Sequence, residues 1–409
     1  MLISARRRRG SRISGAALLG VLLPAFFFGC GEDDNNSSMS ASTPTAAAKA
    51  TPSPTPTSLA KPTPSPTAQT GMAVRQTNLV SDVAGAATTD PNLVNAWGIA
   101  RGPTSPFWVA DNGQGVSTLY DGAGHPFPIA QPLVVTVPPP AGSPPDTTAA
   151  PTGVVFNNTS DFVITDGTHT APSLFIFATE DGTVSGWSQT VNVGAAILAA
   201  DNSNSGASYK GLALGSNAAG NFLYATNFHQ ARVDAFDSVF ATATLSGSFA
   251  DPNLPDGFAP FGIANIGGNL YVTYAKQDDD QHDDVKGPGN GFVDVFDTNG
   301  MLLRRFASQG SLNSPWGVVS APAAFGSFGG AILIGNFGDG HINAFDPNSG
   351  ALLGSLSDGH NPIAIDGLWG LSFGNDGNAG DANTLFFTAG PGDEVHGLFG
   401  SLQVATSGM

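Results

Sequence analysis

The run "GHINAFDPNSGALLGSL" at residues 340–356 repeats the pattern of "GFVDVFDTNGMLLRRF" at residues 291–306. Each has a small loop, an alternating run ending in Phe-Asp, a turn containing Gly, and a second apolar run. Alternation with period two is the pattern of a half-buried strand. Asp followed by a Gly-containing turn joins two such strands into a hairpin. A hairpin that returns after about fifty residues marks a repeat architecture.

Working outward, the same unit recurs across the chain. A Gly leads a short apolar run at "AWGIA" (Gly98), "PTGVVF" (Gly153), "YKGLAL" (Gly211), "PFGIA" (Gly262), "PWGVV" (Gly317) and "LWGLSF" (Gly370), at spacings of 55, 58, 51, 55 and 53 residues. A second β-rich run follows each, such as "NLYVTYA" and "AILIGN". A third ends in an aromatic: Tyr120, Trp187, Phe236, Phe296, Phe345 or Phe399. One four-stranded sheet cannot bury both faces, whereas sheets packed radially bury each other's. The pattern predicts an all-β fold, a six-bladed β-propeller of four-stranded blades spanning residues 73–409. The repeat glycine suits a crowded position near the axis, and the aromatic suits the space between blades. The run "VRQTNLVSD" (74–82) precedes the first repeat, and the last repeat lacks a fourth strand. We expect this run to supply it and close the ring.

Composition agrees with this reading. The 409 residues include 53 Gly and 30 Pro, and only 11% are charged. The net charge of −17 excludes a nucleic-acid-binding role, which needs a basic footprint. Residues 1–29 hold a basic segment, "ARRRRGSR", and an apolar one, "ISGAALLGVLLPAFFFG", read as a signal peptide. They end at Cys30, the only cysteine in the chain. Gly29-Cys30 resembles a bacterial lipobox, which implies a lipid on Cys30, an extracytoplasmic address at the bacterial outer membrane, and the membrane as a partner. Residues 30–72 are rich in Pro, Thr and Ser and read as a disordered tether. At ~3.1 Å per residue it reaches on the order of 100 Å.

Several long segments resemble a bacterial family of exported, conserved hypothetical propeller proteins, some with PEP-CTERM sorting tags. They include "NLVNAWGIARGPTSPFWVADNG", "GNFGDGHINAFDP" and "GLWGLSFGNDGNAGDANTLFFTAGPGDEVHGLFGSL". The resemblance covers most of residues 75–402 and implies a fold and an exported location, with no activity attached. More distantly, the chain is similar to NHL-repeat and gluconolactonase-type propellers. That likeness implies an axial metal held by Glu, Asn and Asp, yet "NAWGIA" lacks the Glu that leads their first strand.

Strands in a blade alternate direction, so the start of the first and the end of the second share one face of the disc. On that face we place an axial ligand-binding set: Asn95, Trp97, Asp111, Asn112, Glu180, Asn227, His229, Lys276, Trp316, Asn336, Trp369 and Glu394. Tyr209, Lys210, Pro260, Asp181, Asp339, Asp393 and His396 fall on the same face. Turn chemistry alone also predicts Asn and Asp there, and core packing alone predicts the tryptophans. The acidic stretch "KQDDDQHDDVKGPGNG" (276–291) offers Asp278, Asp280, Asp283 and Asp284 to a hard cation such as Ca²⁺, the one cofactor these residues suggest. A solvated acidic loop is the simpler account. No G-x-S-x-G elbow, H-E-x-x-H helix or phosphate-binding Gly loop occurs. The expected function is a non-catalytic binding module at the cell envelope, for a small molecule, glycan or envelope protein, acting as a monomeric ring. The alternatives are a metal-dependent hydrolase or lyase and a structural envelope protein.

Overall fold

The computed structural model describes residues 71–405. Cys30, the signal reading and most of the tether reading fall outside them. Among the described residues two short 3-10 turns, Ser203–Ser205 and Gly326–Phe328, are the only helical elements. Everything else regular is β.

Four sheets of three or four strands are separate. The first orders its strands Ala96–Ala100, Phe107–Asp111, Val116–Tyr120 and Val134–Thr136. The second runs Pro151–Phe156, Phe175–Thr179, Thr183–Trp187 and Ile197–Asp201. The third has three strands, Tyr209–Asn217, Gly220–Asn227 and Arg232–Phe236. The fourth runs Phe258–Ile266, Asn269–Lys276, Phe292–Phe296 and Leu302–Ser308. Val163–Thr165 and Thr170–Pro172 form a small two-stranded sheet, Thr88–Thr89 pairs beside Met72–Ser81, and the remaining strands form one continuous sheet. Pro315–Ser320, Ile332–Asn336, Ile342–Phe345 and Leu352–Ser357 lead through Met72–Ser81 to Leu398–Val404, Leu385–Ala389 and Leu368–Phe373. Met72–Ser81 pairs antiparallel with Leu398–Val404, and its first two residues pair parallel with Leu356 and Ser357.

The first strand of each repeat packs on the first strand of the next, and Leu368–Phe373 packs back on Ala96–Ala100. The repeat glycines show why. A Cβ on Gly98 would stand 2.2 Å from the Thr152 carbonyl oxygen, and one on Gly262 would stand 2.2 Å from that of Trp316. The circle closes at Gly370, where a Cβ would meet the Trp97 carbonyl oxygen at 2.9 Å. A side chain at any of these positions would push neighbouring backbones apart. This is the closed, all-β arrangement of a β-propeller.

The inner strands share a second feature. In each, the pairing with its neighbour slips at the residue before the repeat glycine. The bulged residues are Trp97, Thr152, Lys210, Phe261, Trp316 and Trp369. A bulge re-aims a side chain that regular pleating would send elsewhere. Hydroxyls of the second strands fix the kink. Thr388 Oγ1 accepts from the Gly370 amide at 2.9 Å and donates to the Trp97 carbonyl of the next sheet.

The core lies between the sheets. Most apolar clusters draw on two neighbouring sheets, as where Phe107 and Tyr120 meet Phe386 and Phe399. Burying each such aromatic contributes roughly 1.5–3 kcal/mol. A further cluster, Trp97, Phe228, Phe261, Phe337 and Trp369 with Trp316 against it, gathers the inner strands at the axis.

Candidate functional site

The axial cluster is a stacked aromatic plug. Trp369 lies 3.8 Å from Trp97 and 3.9 Å from Phe337, centroid to centroid, with Trp316 edge-on to both tryptophans. Above it the bulge before Gly211 delivers Lys210, which is 2% exposed. Its Nζ lies 5.3 Å from the Trp97 ring centroid and 5.8 Å from that of Phe228, within cation–π range. The ammonium pairs with Glu180 and stands 3.6 Å from Asp283.

A hydrogen-bond circuit runs outward from that pair. Asn112 Nδ2 donates to Glu180 Oε2 at 2.9 Å. Asn95 Nδ2 donates to Asn112 Oδ1 at 3.2 Å and to Glu394 Oε2 at 2.8 Å. Trp369 Nε1 donates to Asn95 Oδ1 at 3.1 Å. Asn95 and Glu394 both hold positive φ, 48° and 65°, a conformation that costs energy in a residue with a side chain.

The electrostatics follow from burial and neighbours. Burial, then the charge of Glu180, raises the Glu394 carboxyl to about 7. Burial is the largest influence on the Lys210 ammonium and would depress it, but Glu180, Asp283 and Glu394 together outweigh it and the net shift is upward. Lys210 therefore stays charged, while Glu394 is poised to exchange a proton near neutrality.

The acidic stretch folds over this centre as a hairpin. Asp278 N donates to the Asp283 carbonyl at 2.9 Å, and Val285 N to that of Lys276 at 2.8 Å. Gln277 Nε2 donates to the Phe228 carbonyl at 2.6 Å, and Lys286 lies 4.2 Å over the Phe337 ring. The tip presents His282 and Asp283, whose side chains touch at 3.0 Å. That hydrogen bond is the largest influence on both: it lowers Asp283 to about 2 and raises His282. Glu180, His282 and Asp283 offer three ligand atoms within 4.8 Å of one another. The Lys210 ammonium already shares both carboxylates, so a divalent cation there would compete with a fixed positive charge.

Of the residues singled out in the sequence, the structure brings Asn95, Trp97, Asn112, Glu180, Trp316, Trp369 and Glu394 to this centre, with Asp283 from the loop. The others lie apart. Asp111 is fully buried, and desolvation pushes its carboxyl well up. Asn227 turns into its own sheet, donating to Gln230 and Asp234. Asn336 donates to the Ser311 carbonyl and to Asp339. His229 contacts the Gln281 carbonyl at 3.3 Å, and Lys276 is exposed. Asp278 caps the hairpin through the His282 amide, Asp280 is exposed, and Asp284 is half-buried. The four aspartates thus do not converge. Lys210 and His282 complete the centre and were outside the set chosen from sequence. One signal pointed to Lys210: it is the only charged residue that directly precedes a repeat glycine.

Fold and site together define a β-propeller with a buried, charged polar centre on its axis. The chain belongs to the family of the uncharacterized proteins R648 and L690 of Acanthamoeba polyphaga mimivirus. It is 35% identical to R648 over 324 residues, 78% of this chain and 76% of R648. It is 33% identical to L690 over 324 residues, 78% of this chain and 82% of L690. This corrects two expectations. The relatives are giant-virus proteins, so the resemblance to a bacterial exported family does not hold, and the bacterial envelope address falls with it. A leader of basic and apolar residues is a compositional signal and does not specify its source. No helix among the described residues is long and apolar enough to cross a membrane. No family model matches the chain. Among solved structures it is similar to a streptogramin B lyase (TM-score 0.47, 13% identity, 83% of this chain and 100% of that one). It is also similar to a gluconolactonase of Xanthomonas campestris (TM-score 0.44, 12% identity, 77% and 87%). At such values the likeness says nothing about activity.

Proposed function

We propose that the chain is a six-bladed β-propeller that binds a small polar ligand at the axial centre beneath the 276–291 hairpin. The blade count is supported by the bulge and glycine shared by all six inner strands. On this reading the third blade has three strands, and Met72–Ser81 completes the last. The observation that carries the binding reading is the circuit Glu394–Asn95–Asn112–Glu180–Lys210. It draws polar side chains from four sheets to one point on the axis, where a packed core would place apolar ones. Carboxylates outnumber cations there, which favours a neutral or cationic ligand such as a polyol or an amine.

The test is calorimetric titration of the full chain with sugars, polyols, amines and carboxylates, beside the Glu180→Gln variant. Binding of one class that weakens at least tenfold in the variant supports the reading. If no class binds, and the variant differs only in melting temperature, the circuit is a structural tie between blades.

A second reading is favoured by one observation, the Glu394 carboxyl near 7. A group half-protonated at working pH is suited to proton transfer, so the same centre is equipped for acid–base hydrolysis or elimination. Turnover that follows a pKa near 7 and disappears in Glu394→Gln distinguishes it from binding alone.

A further inference from the structure

The aromatic plug has a second side. The candidate site uses residues that precede the repeat glycines. From those glycines onward, the inner strands of all six repeats line a separate cavity of about 940 Å³. Trp316 belongs to its lining and to the plug, so it forms part of the floor.

Three features define what this cavity suits. First, apolar side chains, Ile99, Val155, Phe156, Leu214 and Leu371 among others, share its walls with exposed polar backbone, which supplies the larger part of the lining surface. Second, each inner strand is terminal in its sheet order, so one edge of backbone N–H and C=O groups has no sheet partner and faces the axis. Third, Arg101 is the only charged residue in the lining. Its Nε donates to the Phe373 carbonyl at 2.5 Å, which fixes the guanidinium. Among the described residues its terminal nitrogens have no hydrogen-bond partner, and Asp376 lies beyond ion-pair distance. A guanidinium held at its inner nitrogen presents the outer pair as a fork that matches a carboxylate. The volume lies within the range of small-molecule sites.

We infer that this cavity is a second binding site, for a small amphipathic carboxylate whose apolar body packs on the inner strands and whose carboxylate engages Arg101. The site is independent of the axial centre, from which the plug separates it.

The probe is 2-naphthoate, with 2-naphthamide as its uncharged counterpart of the same shape, titrated into the full chain by calorimetry and followed by tryptophan emission through Trp316. The acid should bind at least tenfold more tightly than the amide and perturb the emission. Arg101→Gln should abolish that preference, and Glu180→Gln should leave it unchanged. The acid–amide comparison needs no variant, so it stands even if loss of the Arg101–Phe373 bond destabilises the fold. Equal affinity for acid and amide overturns the proposal. So does no binding of either, which makes the cavity a solvent channel. A preference that survives Arg101→Gln but is lost in Lys210→Met overturns it too, because the acid then binds at the axial centre.

Discussion

Asn95 and Glu394 are 299 residues apart, yet the Asn95 amide donates to the Glu394 carboxyl at 2.8 Å. The bond joins the first repeat to the last at the axis. It also ties the one carboxyl there with a near-neutral pKa to the circuit that reaches Lys210.

That carboxyl makes stability depend on pH with a definite sign. Glu394 titrates at about 7 in the fold against 4.5 ordinarily, so between those values the folded state holds more protons than the unfolded one. Stability therefore falls as pH rises from about 4.5 to about 7 and is level above. Glu394→Gln keeps an oxygen to accept from Asn95 and removes the ionisation. The variant should match the wild type near pH 4.5 and exceed it at pH 8 by on the order of 1–3 kcal/mol. Denaturant unfolding across that range checks this; parallel curves would mean that Glu394 is ordinary. Asp294, raised to about 6 by burial, adds a slope of the same sign to both proteins.

The Lys210–Glu180 pair should behave as a coupled unit. Lys210→Met leaves Glu180 without its cation beside a second carboxyl, which should cost about 3 kcal/mol or more at pH 8. Adding Glu180→Gln removes the stranded charge and should recover most of that loss. A double-mutant cycle from urea unfolding measures the coupling. Additive effects would show that the two residues do not interact.

The propeller was legible because its cause is periodic. Gly98, Gly153, Gly211, Gly262, Gly317 and Gly370 recur because backbones meet there, and one packing problem solved six times leaves a countable mark. Strand direction alone put Asn95, Asn112, Glu180 and Glu394 on one face. The bulge was not legible, because nothing local says that the residue before each glycine slips out of register. Lys210 was therefore marked only as the one charged residue before a repeat glycine, with nothing to say that it turns onto the axis. The hairpin misled for the opposite reason. Composition suggested that Asp278, Asp280, Asp283 and Asp284 gather, but Asp278 is needed to cap the turn. Asp283 alone of the four reaches Lys210.

The close approach at the repeat glycines gives a sharp test. Gly98→Ala places a methyl against the Thr152 carbonyl, which is rigid backbone, and should cost about 3 kcal/mol. Gly194 is the control, with its nearest neighbour 4.0 Å from the added carbon. Gly194→Ala should stay within about 0.5 kcal/mol of the wild type. Thermal melts of both compare them. Equal melting temperatures would show that the inner strands have room to part.

The strand Met72–Ser81 should be indispensable. It pairs along the length of Leu398–Val404, touches Leu352–Ser357, and buries Met72, Val74, Leu79 and Val80 in two separate clusters. At roughly 1.5–3 kcal/mol for each large side chain, that burial rivals the 5–15 kcal/mol by which a typical domain is stable. Its loss would also expose Leu398–Val404 as an unpaired edge carrying Phe399 and Leu402, a template for pairing with other chains. A chain beginning at residue 83 should therefore aggregate or fail to show a cooperative melt. Because the strand is held by pairing and burial alone, a peptide of residues 71–82 added in trans should restore the melt, and a scrambled peptide should not. Size-exclusion chromatography with calorimetry reads both. A monomeric truncated chain that melts as the intact one does would show that the sheet needs no closing strand.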